Sequence, residues 1–378
     1  MPNIMLEDVM QKFGMDAGMF GQFSGIYYIS YSLMHLPMGI MLDRYGPKKV
    51  MSLSIVLTAL GLLPLLFAVH PIYPIIGRFL IGMGSSAAIL GVFKVVRLVF
   101  KEKQFSRMLG FSVTIGVLGA IYGGGPVAYM KQTLGYDAVI QIFALAGALL
   151  AFVTYLIIPD VKKTSESSVF SNIKEVLGNK TVIAICFLAG LMVGPLEGFA
   201  DVWGSAFLSK VYGFENSLAS SLPSLIFTGM CFGAPLLSMV AEKMKSYLGT
   251  IIICAAVMGC LFAAFIFYTV PPGLVSLSFL LVGVCSAYQI LAIYKASTYV
   301  REEVAGLTTA VANMIIMIFG YVFHTIIGTV VKAFGGPGNS EALIYGVSVI
   351  PAALFIAGGG FIFLRSAKPE VSRQSTEA

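Results

Sequence analysis

A succession of long apolar runs constrains this chain more than any single residue does. They lie near 17–41, 50–69, 72–98, 108–130, 137–158, 181–209, 217–241, 247–270, 273–294, 306–331 and 342–364. Each of the eleven is of the order of 20 residues, enough to cross roughly 30 Å of hydrocarbon as a helix. Strands of a membrane barrel alternate apolar and polar positions over about ten residues, whereas these runs are apolar throughout. With 58% of the residues hydrophobic and 11% charged, no water-soluble surface can be assembled. The expected fold is an all-α, multi-pass membrane protein.

The net charge of +6 carries orientation rather than a nucleic-acid footprint. When alternate connections are assigned to alternate sides, nineteen of the 24 lysines and arginines fall on one side, from Arg44, Lys48 and Lys49 to Arg365, Lys368 and Arg373. Lys12, Lys131, Lys210 and Lys332 fall on the other, and Arg78 lies within a span. By the positive-inside rule the basic side is cytoplasmic, which puts the C-terminus inside and the N-terminus outside. The five cysteines all fall inside apolar runs, without CxxC spacing or a histidine cluster, and read as core residues rather than a disulfide or zinc framework. No charged segment followed by a short apolar core marks a cleavable signal peptide.

The longest connection, Asp160 to Lys180, divides the chain into residues 1–158, a cytoplasmic linker 159–180, residues 181–365 and a cytoplasmic tail 366–378. Many transporters consist of two related halves, and an offset of 199 residues aligns Gly39-Ile-Met-Leu-Asp43-Arg44 with Ser238-Met-Val-Ala-Glu242-Lys243. The same offset aligns Lys12-Phe13-Gly14-Met15-Asp16 with Val211-Tyr212-Gly213-Phe214-Glu215. Under this register eleven of an expected 12 spans are present, and the first keeps only its last turns in MPNIMLEDVMQKF. A true eleven-span chain is the alternative.

The pattern Gly39-x-x-x-Asp43-Arg44-x-Gly46-x-Lys48-Lys49 resembles the signature loop between the second and third helices of the major facilitator superfamily. Its physical sense is direct. Gly39 permits close helix approach, Asp43 suits a helix N-terminus, and the basic residues hold the loop at an anionic membrane face. The resemblance implies a latch that docks against the start of the eleventh family helix, near Gly306, Thr308 and Thr309. Gly77-Arg78-x-x-x-Gly82-x-Gly84 resembles the superfamily's intramembrane arginine motif. Gly116-x-x-Gly119 and Gly123-Gly124-Gly125-Pro126 occupy the helix of its antiporter motif in a different order, so antiport does not follow.

Ionisable groups at membrane depth are the natural solute or coupling candidates. Arg78 and Lys94, 16 residues apart on one helix, are about 24 Å apart along its axis. Glu197 and Asp201 share a helix face four residues apart, and Pro195, Gly198 and Gly204 let that helix bend. The resemblance makes this helix part of the cavity and outer gate, with Glu197 and Asp201 candidates for proton coupling or for binding a cation. The alternative for Asp201 is a place at the outer interface, paired with Lys210 or with water. Trp203, two residues after Asp201, is a further substrate or coupling candidate; Tyr288, Gln289, Asn313 and His324 are polar candidates for the wall, each also explained by an interhelical hydrogen bond, and His35 and His70 read as structural or superficial.

No HExxH, GxSxG or Walker motif is present, which argues against an enzyme and against an ATP-driven pump, and no cofactor or metal is implied. The expected activity is secondary or facilitative transport of a small anionic or zwitterionic metabolite by alternating access, with H+ as a candidate coupling ion, in a bacterial inner membrane. Alternatives are a non-transporting receptor or scaffold of the same fold and a multidrug or siderophore exporter. The topology predicts that single cysteines at Thr133 and Ser246 label from opposite sides of the membrane. Same-side labelling would overturn both orientation and span count.

Overall fold

The structure, a computed structural model, describes residues 2–67, 69–100, 108, 111–112, 115–116, 118–159, 169–268, 270–301 and 304–367. Side-chain burial is not described for 169–172, 305 and 306. Lys101, Lys103, Arg107, Lys162, Lys163, Lys368 and Arg373, and most of the tail 366–378, lie outside the described residues.

The N-terminal half contains α1 (Pro2–Phe13), α2 (Ala17–Tyr45), α3 (Pro47–Leu60), α4 (Ile72–Ser85), α5 (Ala87–Val99), α6 (Gly125–Leu134) and α7 (Tyr136–Ile157). The linker contains α8 (Val169–Gly178). The second half begins with α9 (Lys180–Gly190), a π-helix (Gly194–Trp203) and α10 (Gly204–Val211). It continues through α11 (Asn216–Ser221), α12 (Ser224–Lys243), α13 (Tyr247–Phe267), α14 (Pro272–Ser286), α15 (Tyr288–Ser297), α16 (Ala305–Ala333) and α17 (Ser340–Ala367). Helix starts follow local chemistry. Asp16 caps α2 by accepting from the Met19 N–H, Ser246 caps α13 through Gly249, and Gly46 at φ +82° followed by Pro47 turns the chain from α2 into α3.

Among the described residues nine helical stretches are long and apolar enough to span a membrane, not the eleven expected. The 17–41 run is helical over its whole length, but Gln22 and its tyrosines and serines make it more polar than the others. The 108–130 run overlaps residues that are not described. Large apolar side chains such as Leu145, Ile157 and Phe363 are more than two-thirds exposed at 71%, 74% and 77%, which suits a hydrocarbon solvent and no other.

Helix boundaries repeat in the two halves at the offset of 199. Ala17 and Asn216 begin matching helices, as do Ile72 and Pro271/Pro272, and Leu134 and Ala333 end matching ones. Under the same offset α1 corresponds to Asp201–Tyr212, which covers the end of the π-helix and α10.

The halves meet chiefly along α2 and α16, which run antiparallel. Glycines make this approach possible: a Cβ on Gly21 would stand 2.3 Å from the His324 carbonyl oxygen, and one on Gly25 2.9 Å from the Tyr321 ring. Gly328 answers from the other side, 2.5 Å from the Ala17 oxygen by the same measure. Further contacts between halves, among them α1 with the π-helix and α10, and α6 with α11, lie at the same end of the bundle. Gly124 and Gly125, in the stretch compared with the antiporter motif, lie where α6 meets Ser220, Ser221 and Ser224. Gly82 and Gly84 of the arginine motif serve packing too, against the Tyr27 and Ser54 backbone oxygens. Gly39 departs from expectation, because its nearest neighbour across the gap, Leu90, would be 3.9 Å from a Cβ.

Gly21→Ala should therefore destabilise the closed contact by about 1–3 kcal/mol through overpacking. Gly119→Ala, with nothing within 4 Å of the added carbon, should be neutral. Thermal unfolding and a spin-label distance across α2 and α16 read both effects, and equal behaviour of the two variants would contradict the seam.

Candidate functional site: a polar cluster between the two halves

The π-helix positions the two acids. Its i→i+5 pattern, seen where the Gly204 N–H bonds the Phe199 oxygen, widens the turn, and Pro195 within it brings no N–H of its own. One face packs into an aromatic core in which Phe199 meets Phe207, Phe262 and Phe279 edge to face. The other presents Glu197 and Asp201 to the opposite half.

Tyr28 of α2 reaches both acids. Its hydroxyl hydrogen-bonds Glu197 Oε2 and stands 3.1 Å from Asp201 Oδ2. His324 of α16 is fully buried, with Nε2 2.5 Å from the Glu197 backbone oxygen and 3.9 Å from Asp201 Oδ2. Because a carbonyl only accepts, Nε2 carries the hydrogen in that contact. Among the described residues, no lysine or arginine forms an ion pair with Glu197 or Asp201. The two acids, Tyr28, Asn3, Ala200 and Ser224 line a cavity of about 480 Å³ that continues along Gly119–Gly124. Ligand sites for small molecules have volumes of about 300–1,000 Å³.

The other candidates divide. Arg78 does not line this cavity; its guanidinium donates to the Ser24 oxygen at 3.2 Å and lies 5.0 Å from the Tyr27 ring centre, behind the cluster. Its Nε has no hydrogen-bond partner. Asn313 faces Tyr31, extending the polar strip along α2 and α16. Gln289 is buried with its Nε2 unpartnered. Tyr288 donates to the Ala189 oxygen at 2.6 Å inside the second half. Trp203 is fully buried against Phe20 and packs near Gly328 in the seam, so it plugs the contact rather than lining the cavity. Lys94 binds Asp43 at 2.6 Å.

That last pair keeps the signature loop within its own half. Lys48 lies over the Tyr155 ring at 4.7 Å and Arg44 over Tyr45 at 5.5 Å. At this basic end the linker helix α8 docks on the second half through Glu175 and Arg301, at 2.5 and 3.1 Å. Arg301 holds the Glu175 carboxyl below its ordinary value.

At the opposite end stand all four lysines that topology sets apart. Lys12 pairs with Asp137 and Lys131 with Asp8, both at 2.7 Å and both within the first half. Lys210 with Glu7 at 3.6 Å, and Lys332 with Asp16 at 2.9 Å, cross between halves. Lys210 thus pairs with Glu7, not with Asp201 as one reading of the sequence had it.

The sequence pattern of the family described as Major Facilitator Superfamily matches residues 1–324. The chain belongs to that superfamily. Among curated relatives of this major facilitator protein, the probable galactarate/D-glucarate transporter GudP of Bacillus subtilis (strain 168) is 22% identical over 92% of this chain and 85% of its own length. The nitrite extrusion protein of the same organism is 21% identical, over 80% and 76%. A crystal structure of a bacterial homolog to the human lysosomal transporter Spinster superposes with a TM-score of 0.76 at 15% identity, covering 97% of this chain and 92% of that one. The fold and the family are those of multi-pass membrane transporters, not enzymes.

Sequence reasoning missed Tyr28, although the signal was present. Ser24, Tyr28, Tyr31 and His35 recur at helical spacing within an otherwise apolar run, marking a polar face on α2. It also missed Asp16, whose roles as cap and ion-pair partner need the tertiary contact. Burial raises the Asp16 carboxyl, but the Met19 N–H and Lys332 outweigh it and hold it below its ordinary 3.8. A depressed carboxyl contributes fully above that value and loses its contribution as pH falls through the lower folded one. Asp16→Asn keeps a good cap and removes the charge, so it should loosen closure by less than about 1 kcal/mol for so exposed a pair. The effect should vanish in high salt and stay constant between about pH 5 and 8; distance measurements at varied salt and pH check both.

Proposed function

We propose that this protein is a secondary transporter that moves a small organic anion or zwitterion by alternating access and couples that movement to protons through Glu197. The observation that carries this reading is the pair of carboxylates without a lysine or arginine partner, held between the halves beside a cavity of solute size. A carboxylate at membrane depth without a cationic partner is a natural proton site. With the basic end cytoplasmic, the contacts between halves seal the outer end, and the cavity belongs to an inward-facing arrangement.

Two observations support the substrate class. Arg78 supplies positive charge behind the cavity wall, with donor capacity to spare. Relatives are named for galactarate/D-glucarate transport and nitrite extrusion, anionic solutes in both cases. Asp201 could meet the ammonium group of a zwitterion. In the inward-facing arrangement Asp43 is engaged by Lys94, and its docking near Gly306, Thr308 and Thr309 belongs to the outward-facing one. The protein's place is the inner membrane of a bacterial cell.

Thermal-shift screening of organic acids and amino acids identifies the solute, since a ligand that prefers the folded state raises apparent stability. With that solute in reconstituted vesicles, Glu197→Gln should abolish accumulation driven by a pH gradient and preserve solute counterflow, because an amide mimics the protonated carboxyl and releases no proton. Arg78→Gln should weaken affinity more than Arg78→Lys, which keeps the charge and loses the planar fork. Equal loss of uptake and counterflow in Glu197→Gln would remove the coupling role.

A further inference from the structure

We infer that Tyr28, Glu197 and Asp201 form a shared proton site that spans the two halves, and that the proton held there closes the outer gate. The inference deepens the reading of Glu197 as the coupling residue by naming where the proton sits and which conformation requires it.

The argument is a count of hydrogens. Tyr28 belongs to α2 of the first half, and the acids stand four residues apart on the π-helix of the second. The phenol oxygen is within hydrogen-bonding reach of Glu197 Oε2 and, at 3.1 Å, of Asp201 Oδ2. A tyrosine has one O–H to donate and lone pairs to accept with. With both acids ionised, one carboxylate takes that hydrogen and the other faces lone pairs and a second negative charge. One added proton resolves the conflict: the protonated acid donates to the phenol oxygen, and the phenol donates to the remaining carboxylate. Like-charged carboxyls that share a site bind a proton for this reason.

The surrounding groups do not supply that hydrogen. From α16, His324 Nε2 is already committed to the Glu197 backbone oxygen at 2.5 Å, and its Nδ1 is buried without a partner. From α4, Arg78 is held by the Ser24 oxygen behind Tyr27. Tyr27 and Tyr31 of α2 hydrogen-bond Ser85 and Asn313, and Tyr288 of α15 spends its hydrogen on Ala189.

Tyr28 also sits in the seam itself, its ring against Gly320 of α16. When the halves part at the outer end, α2 carries the phenol away from both acids, which then exchange that shared bridge for water and give the proton up. The closed form binds one more proton than the open form, so acid favours closure. The closed-to-open ratio changes up to tenfold per pH unit. The Asp16–Lys332 pair cannot mimic this, because its carboxyl titrates below 3.8.

The test uses the full chain in lipid nanodiscs without solute, with Cys231 and Cys260 replaced by serine and spin labels on Thr133→Cys and Gly338→Cys, one in each half at the outer end. Between pH 5 and 8 the short-distance population should fall as pH rises, with a limiting slope of one proton. Tyr28→Phe, Glu197→Gln and Asp201→Asn should each flatten that slope, with Glu197→Gln biased toward the short-distance form at every pH; melting temperatures verify that each variant folds. A flat response in the unmodified chain, or a full slope in Tyr28→Phe together with Asp201→Asn, overturns the shared proton. Flux separates the two readings: a gate slope in the unmodified chain, with gradient-driven uptake intact in Glu197→Gln, sustains this inference and removes the coupling role, and a flat gate in the unmodified chain, with uptake lost and counterflow kept in Glu197→Gln, does the reverse.

Discussion

The close approach of α2 and α16 is the contact on which the rest of the arrangement depends. It places two helices from different halves near enough that backbone carbonyls occupy the space of absent side chains at Gly21, Gly25 and Gly328. In a membrane, where apolar side chains gain little by leaving lipid for one another, such packing and polar contact drive helix association. The seam brings Tyr28 to Glu197 and Asp201, buries His324 and seals Trp203 against Phe20. The same contact therefore closes the end opposite the basic one and assembles the polar cluster.

Charge is distributed in keeping with that geometry. At the end opposite the basic one ion pairs tie lysines to acids, two of them across the halves. At the basic end Asp43 and Lys94 pair within one half, and α8 reaches Arg301 of the other. Exposed pairs of this kind are individually weak, which suits contacts that must break during a transport cycle. The partly buried acids beside the cavity differ in kind, since among the described residues no lysine or arginine pairs with them.

Much of this was legible in the chain. The apolar runs specify helices because hydrocarbon leaves the backbone no other hydrogen-bond partner, and the 199-residue echo reappears in the helix boundaries. The loop around Asp43 and the pair Glu197 and Asp201 stood out as charges where charge is costly. Other candidates take places that the chain alone does not indicate. Trp203 stood out for its nearness to Asp201, and the neighbouring Gly328 leaves a slot that its ring fills. Lys94 read as a cavity charge because its depth in a span is ambiguous for a long side chain, and it instead meets Asp43.

The sequence by itself determined the solvent, the helices, the two-half register and the sidedness of charge, because hydropathy and lysine placement are local properties. Only the tertiary structure decided which half owns each contact. Tyr28 and Glu197 are 169 residues apart, and Lys332 lies far along the chain from Asp16. No periodicity within a helix encodes such distant partners, which depend on how closely two glycine-lined surfaces can approach.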